Sequence, residues 1–313
     1  RRISDIGDLM FPIIPANSVT AVSGNQEGVF GFGRVPSLTT HTNLVSDVGV
    51  VATDVAAVGG ARDTLAACEY GVDKGIFGFG RDAGGYTSST CLVTNVGVVG
   101  SDVAGVGTAR MLLAACSYGE DKGMFGYGHE THSITNKVSD AGVVASDTAG
   151  VGTDRYALAA TEYGEDKGIF GYGADAGAGY IAVAITNLVS NTGVVAADQA
   201  ATTGTARQYL GGIRYGGDKG MFGFGSAGGA VSITNLVSNT GVVAADQAAT
   251  TGTGRWVLAA TQYGGDKGIF GFGSAVSDAY VGITNLVSNT AVVADDVAAV
   301  GTARGYIAAC SFN

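Results

Sequence analysis

Short apolar stretches alternate with polar, glycine-rich breaks along the whole chain, and no stretch holds a 3.6-residue period beyond two turns. One window shows the pattern. "YALAATEY" (156–163) is small and apolar, the length of one strand. "GEDKG" (164–168) is a turn, with glycines to supply positive φ and an Asp able to bond its own backbone. "IFGYG" (169–173) is a second strand, and "ITNLVSN" (185–191) alternates as a half-buried third strand should. Asn191-Thr192-Gly193 is a hairpin signal, and "VVAADQA" (194–200) is the fourth strand.

The window recurs. The first Phe of each "FGFG"-like element is Phe30, Phe77, Phe125, Phe170, Phe222 and Phe270, at spacings of 47, 48, 45, 52 and 48. "TNLVSNTGVV" stands at 186–195 and 234–243, with relatives starting at Thr42, Thr90, Thr135 and Thr284. A "GTAR"-like element places Arg62, Arg110, Arg155, Arg207, Arg255 and Arg304. Four short strands per unit in tandem copies predict an all-β fold: a six-bladed β-propeller with four antiparallel strands per blade. A lone four-stranded sheet leaves both faces bare, whereas radial stacking covers both and explains glycine inside the strands.

Residues 23–313 make up the predicted propeller and residues 1–22 an N-terminal arm. The last repeat ends on an inner strand, "GTARGYIAACSFN", while the first starts at its second strand, "EGVFGFG". Segment 305–311 is therefore expected to complete the first blade and close the ring. "SVTAV" (18–22) competes for the same place. The arm carries Met10, Phe11, Ile13 and Ile14 between polar flanks, suited to docking on another subunit.

Composition narrows the function. Hydrophobic residues make up 46% of 313, enough for a sizeable core, and 53 are glycine, above the roughly 7% of ordinary chains. A net charge of −10 argues against nucleic acid and anionic membranes as partners. No apolar run has the length of a membrane span, no secretory leader is evident, and the missing initiator Met marks the chain as processed or a fragment.

The order of "AR", "LAA", "YG", "DKGIFGFG" and "TNLVSNTGVV" over residues 18–313 resembles kelch repeats. The adjacent glycines of that family appear here as Gly-aromatic-Gly, as in Gly78-Phe79-Gly80, and its outer-strand Trp is absent; Trp256 is assigned to an inner strand. Such glycine-rich arrays are similar to those of phage tail and virion proteins. The resemblance implies a non-enzymatic structural or adhesion protein, in a virion or extracellular setting, without a cofactor. The alternative is a soluble lectin or kelch-type protein-interaction module.

Length varies in one place. Arg to Phe is fifteen residues in every complete repeat, whereas the last Gly of "FGFG" to the Asn of "TNLVS" (Cys91 in the second repeat) is 10, 11, 8, 14, 10 and 12. Strand 2–3 and 4–1 loops share one face of a blade, so variation concentrates on one face, where recognition commonly sits. Its candidates are Tyr86, Tyr180 and Tyr280, Asp82, Asp175 and Asp278, and His129 and His132, which suit a glycan or protein receptor. An Asp precedes each Arg by eight or nine residues, giving six expected structural ion pairs: Asp54 with Arg62, Asp102 with Arg110, Asp147 with Arg155, Asp198 with Arg207, Asp246 with Arg255 and Asp296 with Arg304.

Other chemistry is poorly supported. "His129-Glu130-Thr131-His132" is at most half of a metal site, so no metal is expected. Residues 223–228 satisfy GxGxxG but no helix follows to receive a phosphate. A nucleophile with its base is not evident, nor is the Tyr/Cys/His set of a copper-radical oxidase, which leaves loop carboxylates as the only hydrolytic candidates. Cys68, Cys116 and Cys310 share one inner-strand position, filled elsewhere by Thr161, Ile213 and Thr261. That interchange predicts a small buried slot and four free thiols.

Overall fold

The computed structural model describes residues 25–312 apart from 131, 132, 201, 203, 249, 251, 276–278 and 299. The arm and "SVTAV" lie outside the described residues. The described chain is all-β: six main antiparallel sheets of three or four strands, with one three-stranded sheet of two-residue strands and two two-stranded sheets beside them.

Each main sheet repeats one plan. An inner strand such as Ala114–Tyr118 pairs with a middle strand, Lys122–Gly126, which pairs with a third, Thr135–Val138. The same trio recurs as Ala66–Tyr70, Lys74–Gly78 and Thr90–Val93, and as Ala159–Tyr163, Lys167–Gly171 and Thr186–Val189. Gly211–Tyr215, Lys219–Gly223 and Thr234–Val237 form the next, then Ala259–Tyr263, Lys267–Gly271 and Thr284–Val287. In the remaining sheet the C-terminal strand Ala308–Phe312 pairs with Glu27–Gly31, which pairs with His41–Val45. The first repeat thus takes its inner strand from the far end of the chain, three residues later than the expected start at 305.

The fourth strand is a correction. Among the described residues only Val55–Ala56 forms a ladder there, in the first repeat. Elsewhere the segment touches the third strand through isolated bridges such as Val93↔Val99 and Thr90↔Val103. Its first valine faces solvent in every repeat, for example Val143 at 65% and Val242 at 66% exposed. Asn side chains take the place of ladder bonds there: Asn136 Nδ2 donates to the Ala145 carbonyl at 3.0 Å.

The inner strands adjoin one another in the order Ala66–Tyr70, Ala114–Tyr118, Ala159–Tyr163, Gly211–Tyr215, Ala259–Tyr263, Ala308–Phe312, and the last adjoins the first. Between them lies a cavity of about 170 Å³, narrow because small residues such as Ala67, Ala160 and Gly212 line it. Sheets interlock through glycine. A Cβ on Gly126 would stand 2.6 Å from Cζ of Phe170, and one on Gly123 2.5 Å from Cys68 Sγ. The Cys/Thr/Ile slot is thus the knob that fills the hollow left by the neighbouring "DKG" glycine. All four cysteines are buried free thiols. Burial pushes the Cys91 thiol up to about 12.

Candidate functional site

One end of the molecule is held by a repeated arginine seat. The six repeat arginines are buried, each with its guanidinium over the aromatic ring of the preceding "GFG" element. Arg62 lies over Phe32, Arg110 over Phe79, Arg155 over Tyr127, Arg207 over Tyr172, Arg255 over Phe224 and Arg304 over Phe272, at 4.2–5.1 Å. To reach this position the aromatic residue takes a left-handed φ of 62–63° in every copy. Its own amide neighbour completes the seam: Gly80 N–H donates to the Arg110 carbonyl at 2.9 Å, and each repeat has the equivalent bond.

The ion pairs form with a different assignment from that expected. Each Arg is matched with the Asp that follows it by about forty residues on the same sheet, not with the Asp just before it. Arg62 meets Asp102 at 3.0 Å, Arg207 meets Asp246 at 3.9 Å, Arg255 meets Asp296 at 3.8 Å, and Arg304 meets Asp54 at 3.5 Å across the termini. Arg110 and Arg155 reach Asp147 and Asp198 through Asn136 and Asn187, which accept from the guanidinium and donate to the carboxylate. The expected pairs straddle two sheets, because the Asp ends one sheet and the nearby Arg begins the next. Burial raises the carboxyls, but bonds from Thr and Asn (from Cys91 and the Gly60 amide at Asp102), with the nearby Arg, outweigh it and hold all six Asp below their ordinary value.

Two residues beyond each Arg, the chain turns through positive φ again, at Thr64, Leu112, Ala157, Tyr209, Val257 and Tyr306. Their backbones bond head to tail: Leu112 N–H to Thr64, Ala157 to Leu112, Tyr209 to Ala157, Val257 to Tyr209, Tyr306 to Val257, and Thr64 to Tyr306, at 2.7–3.1 Å. This circle caps the central cavity. Around it the variable loops fold as small hairpins rather than open loops: Arg34–Val35 with Ser37–Leu38, Arg81–Asp82 with Gly85–Tyr86, and Ala174–Asp175 with Ile181–Ala182. Single bridges tie Ser226 to Ala230 and Ser274 to Tyr280.

The hairpins bring several candidates together. Tyr86 meets His129 with ring centroids 6.2 Å apart and its hydroxyl 3.4 Å from Nδ1. His129 packs edge-on against Tyr156 at 5.3 Å, and Tyr156 against Tyr180 at 5.7 Å. Tyr180 is 60% exposed, so the row ends at the surface. Asp82 and Asp175 instead bond their own turns, to Gly84 N–H at 2.7 Å and to Gly177 N–H at 2.8 Å. His132 and Asp278 lie outside the described residues. Among the described residues no three His, Cys, Asp or Glu side chains gather into a metal-binding group.

Sequence reasoning missed the residues just after each Arg. Tyr209, Trp256 and Tyr306 form a second cluster, with centroids 5.3–6.3 Å apart. Trp256 precedes its inner strand, bridging to Ser274, and is not part of it. A Cβ on Gly305 would stand 2.7 Å from the ring of Tyr280, which places that candidate beside Tyr306. The available signal was that no residue pair after Arg occurs twice: Asp63-Thr64, Met111-Leu112, Tyr156-Ala157, Gln208-Tyr209, Trp256-Val257 and Gly305-Tyr306. Compared with known proteins, the chain matches no family model and no curated protein.

Proposed function

We propose that the chain is a six-bladed, kelch-like β-propeller whose C-terminal strand closes the first blade, and that it is a non-enzymatic adhesion module binding a glycan on its hairpin face. The cyclic adjacency of the inner strands and the head-to-tail bonds from Thr64 round to Tyr306 support the blade count and closure. The observation that carries the binding reading is the gathering of rings where the repeat breaks: Tyr86, His129, Tyr156 and Tyr180 in one row, and Tyr209, Trp256 and Tyr306 at the axis. Aromatic faces stack on the apolar faces of sugar rings, and a rigid scaffold keeps the entropy lost on binding small. The likeness to glycine-rich phage arrays favours a virion or extracellular surface as its setting.

A glycan-array screen of the whole chain tests this, with a control in which Trp256 and Tyr180 are both changed to Ala. Specific binding that the control loses supports an adhesin. Failure of the folded wild-type chain to bind any glycan refutes the reading and turns attention to protein partners.

A further inference from the structure

One charged group on the hairpin face has no counterpart in the other repeats. Asp63 is fully buried, yet it is held by two arginines that are not: Arg34 Nη2 at 2.8 Å and Arg81 Nη2 at 3.0 Å, with side chains 32% and 36% exposed. Arg81 Nε also donates to the other carboxylate oxygen, at 3.2 Å. Both arginines sit at the first hairpin position after "GFG". The equivalent residues elsewhere are His129, Ala174, Ser226 and Ser274, and the position of Asp63 is taken by Met111, Tyr156, Gln208, Trp256 and Gly305. Five repeats build the same seam without this trio, so the fold does not require it.

Its charge does not balance. Two guanidiniums face one carboxylate, a surplus of one positive charge on a chain whose net charge is −10. The backbone fixes the trio in place: Arg81 and Asp63 exchange both amide bonds, and Arg34 N–H donates to the Gly305 carbonyl at 2.9 Å. Tyr306 follows Gly305; burial pushes its hydroxyl up, and the charges of Arg34, Asp63 and Arg81 also act on it. Two partly exposed guanidiniums that keep N–H groups beyond those bonded to Asp63, set beside aromatic rings, suit a carboxylate attached to a ring.

We propose that Arg34 and Arg81, oriented by Asp63, are a specificity site for saccharides carrying a carboxylate, such as a sialic or uronic acid, with the sugar ring seated near Tyr306. This rests on the glycan reading above and deepens it. Asp63 has the part of a positioning residue.

The test is isothermal titration of the whole chain with two matched pairs: sialyllactose against lactose, and tri-galacturonate against its methyl ester. The expected result is a preference of about tenfold or more for at least one acidic member, as one charge-assisted hydrogen bond supplies. Arg81→Gln and Arg34→Gln should each abolish the preference, read as the ratio of acidic to neutral affinity within the same variant. Asp63→Asn, if it folds by circular dichroism, should raise acidic-sugar affinity and steepen its salt dependence. Equal affinity for acidic and neutral members, unchanged in both Arg variants, overturns the specificity site while the glycan reading stands. No binding of any saccharide by the folded wild type refutes both.

Discussion

The contact between Phe79 and Arg110 is the sharpest test of how the repeats are joined. Phe79 has no exposed surface, its ring lies 4.4 Å from the Arg110 guanidinium carbon, and its centroid is 5.1 Å from that of Phe125. Burial pushes the Arg110 guanidinium down to about 10, against the pull of Asp147. Phe79→Ala should lose about 3–5 kcal/mol of buried ring and cavity energy. Relief of the left-handed backbone returns little, because Ala at φ 62° remains strained. Arg110→Met keeps the volume but strands the carbonyls of Tyr127 and Thr108 and the Asn136 side chain, about 1 kcal/mol each, offset by the desolvation no longer suffered by a charge. The double-mutant cycle isolates the ring–cation term, expected at about 1.5 kcal/mol for a desolvated pair. Urea unfolding followed by circular dichroism reads all four chains. A coupling below about 0.3 kcal/mol would refute the view that the aromatic residue takes its costly φ in order to seat the neighbouring arginine. Phe79→Tyr should be nearly neutral, since Tyr127 and Tyr172 occupy the same position and find Val151 and Thr202 for their hydroxyls.

Three further outcomes follow from the same geometry. Val72 is a β-branched residue at φ 72° and 54% exposed, where the fourth and fifth complete repeats use Gly217 and Gly265, so Val72→Gly should stabilise by about 1 kcal/mol; a lower urea midpoint would contradict this. Gly126→Ala drives a methyl to 2.6 Å from Phe170 and should cost about 2–3 kcal/mol, against almost nothing for Gly229→Ala in open space. Acid should loosen the arginine seats. Asp147 is held below its unfolded value, so its contribution is present above about pH 4 and is lost as pH falls through the lower folded value. Asp147→Asn should therefore be less stable than wild type at neutral pH, with the difference shrinking towards pH 3; parallel stability curves would count against it.

Much of the architecture was legible because each repeat solves the same local problem with the same residues. "YGxDKG" had to turn, and it does so through positive φ at pairs such as Gly119 and Glu120. The break between "GTARGYIAACSFN" and "EGVFGFG" located the pairing of Ala308–Phe312 with Glu27–Gly31. The interchange of Cys68 with Thr161 and Ile213 marked a small buried slot. The fourth strand misled because "VVA" has strand-like residues, while the carbonyl that follows it is taken by an Asn side chain, as Ala145 is by Asn136, and the pairing reduces to single bridges. The ion pairs misled for a geometric reason. Periodicity gives the repeat length but not the point at which one sheet ends, so proximity in sequence joined Asp54 to Arg62 when the sheet joins it to Arg304.

The same reasoning separates scaffold from recognition. Positions that recur through the repeats, such as Arg110, the aromatic at Phe79, Gly80 and the Asn136 slot (Cys91 in the second repeat), are buried in the seam between sheets, out of a ligand's reach. Asp82 and Asp175 looked available in sequence, yet they bond the turns that shape their own hairpins. What remains accessible and chemically distinctive is the set that breaks the repeat: Arg34 and Arg81, held by the buried Asp63, with the rings of Tyr86, Tyr180, Trp256 and Tyr306. In a tandem repeat protein the informative positions for binding are therefore those where copies disagree next to where they agree most closely. Here that boundary falls within two residues of the buried arginine. Tyr306 stands in the Thr64-to-Tyr306 circle, and Asp63 and Trp256 each stand one residue before a member of it, so the backbone at these positions is fixed before any ligand arrives.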